Sequence, residues 1–283
     1  MIYETMKKEE MKECVELAAR AFADDGQEVA VAGFDDLTSL CEIRILSVAD
    51  AVRWADIIIL PVRPVKDGCL NAPFTKTELP IPDLLDRVGE KPIFAGGIAP
   101  LKPYAKGKLC DYAALEYFSL YNAELTAEGA LSILLNDYED SVFGTKILVT
   151  GYGRIGKLLS AQLHCLGAEV TVAARKALDR ERAELSGLPA VDYPDIDHSA
   201  YPVIINTVPA LVLDRKAVDR MREDVFLIDL ASAPGGVDFA RARERGLSVI
   251  HALSLPGKTA PYAAGRVIKN AVMNILSKEI PLI

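Results

Sequence analysis

The sequence predicts an α/β protein: a C-terminal doubly wound parallel sheet with helices on both faces, preceded by a smaller α/β domain. Three observations predict it. A glycine-rich turn, Gly151-Tyr152-Gly153-Arg154-Ile155-Gly156, stands between the apolar run "TKILVT" (145–150) and the helical spacing of Ile155, Leu158, Leu159, Leu163 and Leu166. From that turn onward, short apolar runs alternate with amphipathic stretches, which is the rhythm of βαβ units. The N-terminal half alternates too, with weaker periodicity.

In chain order, an amphipathic helix is expected at about 7–23, then strands at 28–34 ("EVAVAGF") and 42–46 ("EIRIL"). A short helix at 48–55 and strands at 56–60 ("DIIIL") and 91–96 ("KPIFAG") follow. This order suits a small flavodoxin-like domain with one departure. Such a domain opens with its middle strand, whereas this chain opens with a helix, so the usual first strand is expected to be lacking. Residues 122–137 ("NAELTAEGALSILLND") read as a bridging helix with Thr126 as N-cap and Leu131, Leu134 and Leu135 on its buried face.

Beyond the bridge, strands are expected at 145–150, 168–173, 202–206, 225–229 and 247–250, with a short one near 190. Helices fit 154–166, 176–186, 214–221 and 238–245, and a long one covers about 260–279. The domain plan is then 1–120 on the substrate side, 121–140 as bridge, 141–259 as a Rossmann domain, and 260–283 as a C-terminal helix returning toward the N-terminal domain. A ligand cleft is expected between the halves, at the carboxyl ends of the strands.

Composition narrows the function. A chain of 283 residues with 51% hydrophobic content buries a substantial core, and its net charge of −8 repels nucleic acid. No apolar run approaches the roughly 20 residues of a membrane span, and the charged, amphipathic N-terminus is not a secretory signal. Five cysteines are scattered without a CxxC pair, and the three histidines show no ligand spacing. A cytoplasmic homo-oligomer with reduced thiols, no metal and no membrane partner is expected.

The glycine turn carries the chemistry. In the Gly-x-Gly-x-x-Gly arrangement, Gly151 allows the turn, Gly153 admits a pyrophosphate to the backbone, and Gly156 lets the helix pack on the strand. Arg154 and Ile155 open the helix whose amino-terminal N–H groups and dipole suit the phosphate charge. An NAD-preferring site places a carboxylate at the tip of the second strand. Here "VTVAARKA" ends in Arg175 and Lys176 instead, which suits a 2′-phosphate. A solvated basic helix start is the plainer reading. A cation at a helix amino end is, however, unfavourable without an anion beside it, so NADP is the expected cofactor. Three more turns fall on the same sheet edge: Asn206-Thr207-Val208-Pro209, the segment opening with Ser232, and "LPGKTAP" with Lys258. Asn206 or Thr207 is positioned to hydrogen-bond ribose or carboxamide. His251, near a strand end, is read first as structural and second as a general acid.

The strings "NTVPALVL", "LIDLASAPGGVDF" and "LPGKTAPYAAGRVI", with "GYGRIG" before them and "YNAELTAEG" and "VAGFD" upstream, resemble the A-subunit family of bacterial dipicolinate synthase. That family is similar in architecture to the D-2-hydroxyacid and alanine dehydrogenases. The resemblance implies oxidation of a cyclic dihydrodipicolinate-type imino dicarboxylate to dipicolinate during sporulation, with a pyridine nucleotide as hydride acceptor and a flavoprotein-like B-type subunit for a partner. Such a reaction needs a base for the ring proton and cations for two carboxylates. Glu128 is the candidate base, or else only a complement to the helix dipole. Lys258 and Arg154 are candidate carboxylate partners, with Arg154 alternatively serving the pyrophosphate, and Asn122 is placed to orient the substrate. Two other readings stand beside this one: a D-2-hydroxyacid or amino-acid dehydrogenase, which would want a clear acid–base pair, and a nucleotide-binding subunit without activity alone.

Overall fold

The computed structural model describes residues 17–34, 43–72, 75–232 and 234–279. By internal contacts the chain divides within one long helix, between Asn122 and Ala123, and again between Thr259 and Ala260.

The unit from Ala123 to Thr259 is built on one six-stranded parallel sheet. Its strands are β8 (Lys146–Thr150), β9 (Glu169–Ala173), β10 (Ala190–Val191), β11 (Val203–Asn206), β12 (Phe226–Asp229) and β13 (Ser248–His251). Their spatial order is β10-β9-β8-β11-β12-β13, and every pairing is parallel. This is the 3-2-1-4-5-6 order of the Rossmann fold, whose direction of winding reverses between β8 and β11. Alternate side chains serve opposite faces. Ile147, Val149, Val172, Ile205, Ile228 and Ile250 belong to one buried cluster, while Leu148, Ile204, Leu227 and Val249 belong to the other. Strands covered on both sides must be apolar throughout, which explains "ILV" (147–149), "VII" (203–205) and "FLI" (226–228). Helices α5 (Arg154–Cys165), α6 (Ala177–Leu185), α7 (Arg215–Asp219) and α8 (Phe239–Glu244) connect the strands.

Two expectations in this unit are corrected. The bridging helix, α4 (Glu116–Asp137), begins six residues before the expected start at 122. Thr126 is therefore no N-cap but a buried residue in mid-helix. The preceding "EYFSLYN" lacks Gly and Pro, the two strongest helix breakers, so the helix extends back through it. Leu134 is fully buried and Leu131 packs against the core, yet Leu135 is 58% exposed. The segment "LPGKT", read as a loop, is a short helix, α9 (Leu255–Thr259).

The other unit holds helical residues 17–23 (α1) and two parallel arrangements. These are the pair β1 (Ala30–Val31) with β2 (Arg44–Ile45), and the three-stranded sheet of β3 (Ile58–Val62), β6 (Ile93–Gly96) and β7 (Leu109–Asp111) in the order β3-β6-β7. The strand expected over 28–34 shrinks to the two residues of β1. The expected lack of a first strand falls on residues 1–16, outside the described residues. Helices α2 (Val48–Trp54) and α3 (Ile81–Val88) pack here with β3 and β6 around Leu60, Leu85 and Ile93. The long α10 (Pro261–Glu279) also belongs to this unit. Gly265 lies so close to α1 that a Cβ there would meet the Ala18 backbone nitrogen at 2.7 Å. Among the described residues no helix is long and apolar enough to cross a membrane.

Three elements of this unit escaped the sequence reading. Helix α3 buries Ile81, Leu84, Leu85 and Val88, a helical period masked by Pro80 and Pro82. Proline is tolerated in a first helical turn, where its missing N–H costs nothing. The hairpin β4 (Val65–Lys66) to β5 (Cys69–Leu70) turns through Asp67 and Gly68, both with positive φ, which is the Asp-Gly hairpin signal. Strand β7 is only three residues long.

Candidate nucleotide-binding site

The glycine turn sits where β8 hands over to α5, at the switch point of the sheet. Gly151 has φ +96, and a Cβ there would meet Thr207 Oγ1 at 2.5 Å and Val208 Cγ2 at 2.7 Å. A Cβ on Gly156 would collide with the Gly151 carbonyl. Both glycines are thus required by the packing of turn, helix and β11 loop. Gly153 differs. It is the N-cap of α5, no side chain caps the helix, and the space its Cβ would occupy is open. Uncapped N–H groups beside open space suit an anion. Arg154 is exposed at the first helical position and Ile155 is half-buried behind it. Lys157, one turn on, stands 5.6 Å from the Tyr152 ring centre.

Across the carboxyl edge runs a row of polar residues, each the last of its strand. Asn206 is in register with Thr150 on one side and Asp229 on the other, and Asp229 with His251. Thr150 Oγ1 donates to Asn206 Oδ1 at 2.6 Å, and Asn206 Nδ2 donates to Asp229 Oδ1 at 2.7 Å. Asn206 Oδ1 also accepts from the Val208 N–H (3.1 Å), and Nδ2 also donates to the Val208 carbonyl (3.0 Å). An amide side chain has two donor and two acceptor positions, and all four are used. The expected contact of the Asn206 amide with ribose or carboxamide is therefore corrected: the group is consumed inside the protein and acts on the loop. Thr207 is also engaged, its hydroxyl donating to the Thr150 carbonyl at 2.8 Å. Val208 is half-buried and Pro209 exposed.

Asp229 escaped the sequence reading. Its carboxylate is wholly buried, and its second oxygen accepts from the Gly236 N–H at 2.9 Å while the first also accepts from Ala231 N–H at 3.0 Å. An acid closing an otherwise apolar strand was the available signal, because a buried carboxylate demands donors. Its partners hold the loop that carries the exposed Ser232. The imidazole of His251 lies with Nε2 3.2 Å from the Ala231 carbonyl and its ring tilted on Phe239, which accords with the structural reading.

At the tip of β9, Arg175 and Lys176 are both exposed, and Lys176 is the N-cap of α6 without a side-chain cap bond. Tyr193, beyond β10, shares this corner. Burial pushes its phenol up to about 12, with the Arg175 guanidinium pulling it down and the Asp192 carboxylate adding to the rise.

The candidate catalytic residues lie on α4 and α9. Glu128 does not begin a helix; it is exposed in the second half of α4. Its neighbour Gly129 lets α9 approach, since a Cβ there would meet Leu255 Cβ at 2.8 Å and Thr259 Oγ1 at 3.0 Å. Lys258, half-buried, is on that same α9. Glu128 and Lys258 therefore lie on two helices in contact. Asn122 is half-buried on α4, just before the division of the chain.

A sheet of this order with a glycine turn at its switch point defines a protein built like the nucleotide-dependent dehydrogenases. The transhydrogenase structure from Sinorhizobium meliloti shares the fold: TM-score 0.67 at 15% identity, over 94% of this chain and 88% of that one. More narrowly, the resemblance is to the dipicolinate synthase A-subunit family. Residues 14–120 match the family model that describes the N-terminal domain of the dipicolinate synthase A-subunit. The dipicolinate synthase A-subunit of Bacillus subtilis (strain 168) is 27% identical over 270 residues, covering 92% of this chain and 91% of the relative. The crystal structure of the dipicolinate synthase A-subunit from Bacillus halodurans superposes with a TM-score of 0.81 at 26% identity, over 94% of each chain.

Proposed function

We propose that this chain is an A-type dipicolinate synthase subunit, an oxidoreductase that converts a cyclic dihydrodipicolinate-type imino dicarboxylate to dipicolinate with NADP. The observation that carries the reading is the open, uncapped turn at Gly153 together with the two exposed cations at the β9 tip, in a chain that resembles this family. Bound NADP would accept the hydride. The N–H groups around Gly153, Arg154 and Ile155 hold the pyrophosphate, and Gly151 and Gly156 keep the turn in shape. Arg175 and Lys176 take the 2′-phosphate. Thr207, Val208, Pro209 and Ser232 line the remaining sheet edge, and Asn206 holds that edge rigid.

In this reading each turnover removes one hydride and one proton from the ring. Glu128 takes the proton, Lys258 pairs with a substrate carboxylate, and Asn122 orients the ring. The relatives are named as the A-subunit of a synthase, which supports a B-type partner, and a homo-oligomer is proposed for the A chain itself. The test is an assay with NADP, fresh dihydrodipicolinate-type substrate and the B-type partner. NADPH and the ultraviolet absorbance of a pyridine dicarboxylate should rise in equal amounts. Glu128→Gln keeps the shape but not the base, and should lower turnover more than nucleotide affinity. Intact nucleotide binding without aromatic product, with the partner present, would replace this reading by that of a binding subunit.

A further inference from the structure

The tip of β9 is held by a side chain that the sequence reading passed over. Arg180, on α6, donates from Nη1 to the Ala174 carbonyl at 2.7 Å and to the Arg175 carbonyl at 2.9 Å. The same nitrogen lies 3.1 Å from Asp192 Oδ2, in an ion pair whose side chains keep 24% and 36% of their exposure. The other Asp192 oxygen accepts from the Tyr193 N–H at 2.8 Å. One residue earlier, the Ala173 carbonyl accepts from Gly151 N–H at 2.8 Å, and Ala174 N–H donates to Val191 at 3.1 Å. Three successive carbonyls, of Ala173, Ala174 and Arg175, are thereby turned onto donors of the protein.

That arrangement matters for an anion. A carbonyl oxygen carries partial negative charge, and one left facing a phosphate would oppose it. With these carbonyls already accepting from protein donors, the charged groups exposed at the tip are the side chains of Arg175 and Lys176. Arg180 contributes little net charge itself, because Asp192 neutralises it. We infer that Arg180, anchored by Asp192, is a positioning residue that sets specificity for a 2′-phosphorylated nucleotide by holding the backbone beneath Arg175 and Lys176. The inference rests on the NADP reading and assigns a determinant within it.

All of these contacts use one nitrogen, so the three-donor ammonium of lysine is the conservative replacement. Arg180→Met keeps the aliphatic stem and removes every polar contact. The probes are 2′,5′-ADP and 5′-AMP, which differ only in the 2′-phosphate, titrated calorimetrically into the full chain. Arg180→Met should weaken 2′,5′-ADP at least about tenfold and 5′-AMP less than about twofold, the scale of one charge-assisted hydrogen bond, and Arg180→Lys should recover part of the loss. If Arg180→Met fails to fold, Arg180→Gln carries the same test. Equal weakening of both probes, or of neither, overturns the inference. Arg175→Ala separates the two levels: if it discriminates between the probes while the Arg180 variants do not, the NADP reading stands and this inference falls. If the wild-type chain binds the two probes equally, both fall.

Discussion

Asn206 and Asp229 close adjacent strands in register, and their wholly buried side chains meet in a 2.7 Å hydrogen bond. The carboxylate gathers three N–H donors, from the Asn206 amide, Ala231 and Gly236. Asp229→Ala would strand these donors in the buried interior. The variant should lose on the order of 3 kcal/mol of stability, since each unsatisfied buried group costs about 1–3 kcal/mol. Urea unfolding checks this, and an unchanged midpoint would mean that the network carries no stability.

Gly153→Val tests the turn. The added side chain would enter open space rather than the protein, so the thermal melt should stay near that of the wild type. Nucleotide binding, followed by fluorescence or calorimetry, should vanish because the side chain fills the volume needed by the pyrophosphate. Undiminished affinity in the folded variant would reduce the motif to a structural bend.

Arg175→Ala tests the cofactor. The guanidinium at the β9 tip is exposed, so its removal should leave the fold intact. Affinity for NADP should drop by about 1–3 kcal/mol, the range for a hydrogen bond to a charged group with its partner left unpaired. NAD affinity should barely change, and a matching loss for NAD would dispose of the 2′-phosphate assignment.

His198 gives a pH dependence. It is 2% exposed, and its Nδ1 has no hydrogen-bond partner among the described residues. Burial holds its pKa below the ordinary 6.5, with Arg220 acting in the same direction against the Ile196 backbone, Asp197 and Asp214. As pH falls through 6.5, the unfolded chain takes a proton that the folded one refuses, so this stabilising contribution is present above 6.5 and lost below it. His198→Leu should flatten that part of the stability profile. Denaturation midpoints on either side of pH 6.5 would show it, and parallel profiles for the two proteins would refute it.

The Rossmann unit was readable because its strands are buried on both faces and must be apolar, and because only glycine satisfies the geometry at 151 and 156. The smaller unit was less so. Its strands are short, and in α3 the prolines disguise a regular apolar period. Within the site, the glycine turn and the basic pair Arg175-Lys176 were visible as local strings. The polar row of Thr150, Asn206 and Asp229 was not, since each member is a lone polar residue ending its own strand. Only the register brings them together. Arg180 was hidden for a similar reason: a cation on an exposed helix resembles any solvated charge until the carbonyls it serves are seen.

The polar row also bears on exchange with deuterated water. The amides of Val208, Ala231 and Gly236 donate to buried side-chain oxygens of Asn206 and Asp229. Loop amides at a binding edge ordinarily belong to the fast-exchanging class, released by small local openings. Here an opening that frees any of the three must also break a bond to the carboxyl end of a central strand. Their labelling should be slow and correlated, and the loops that bear them would meet a ligand already ordered, with little conformational entropy left to lose.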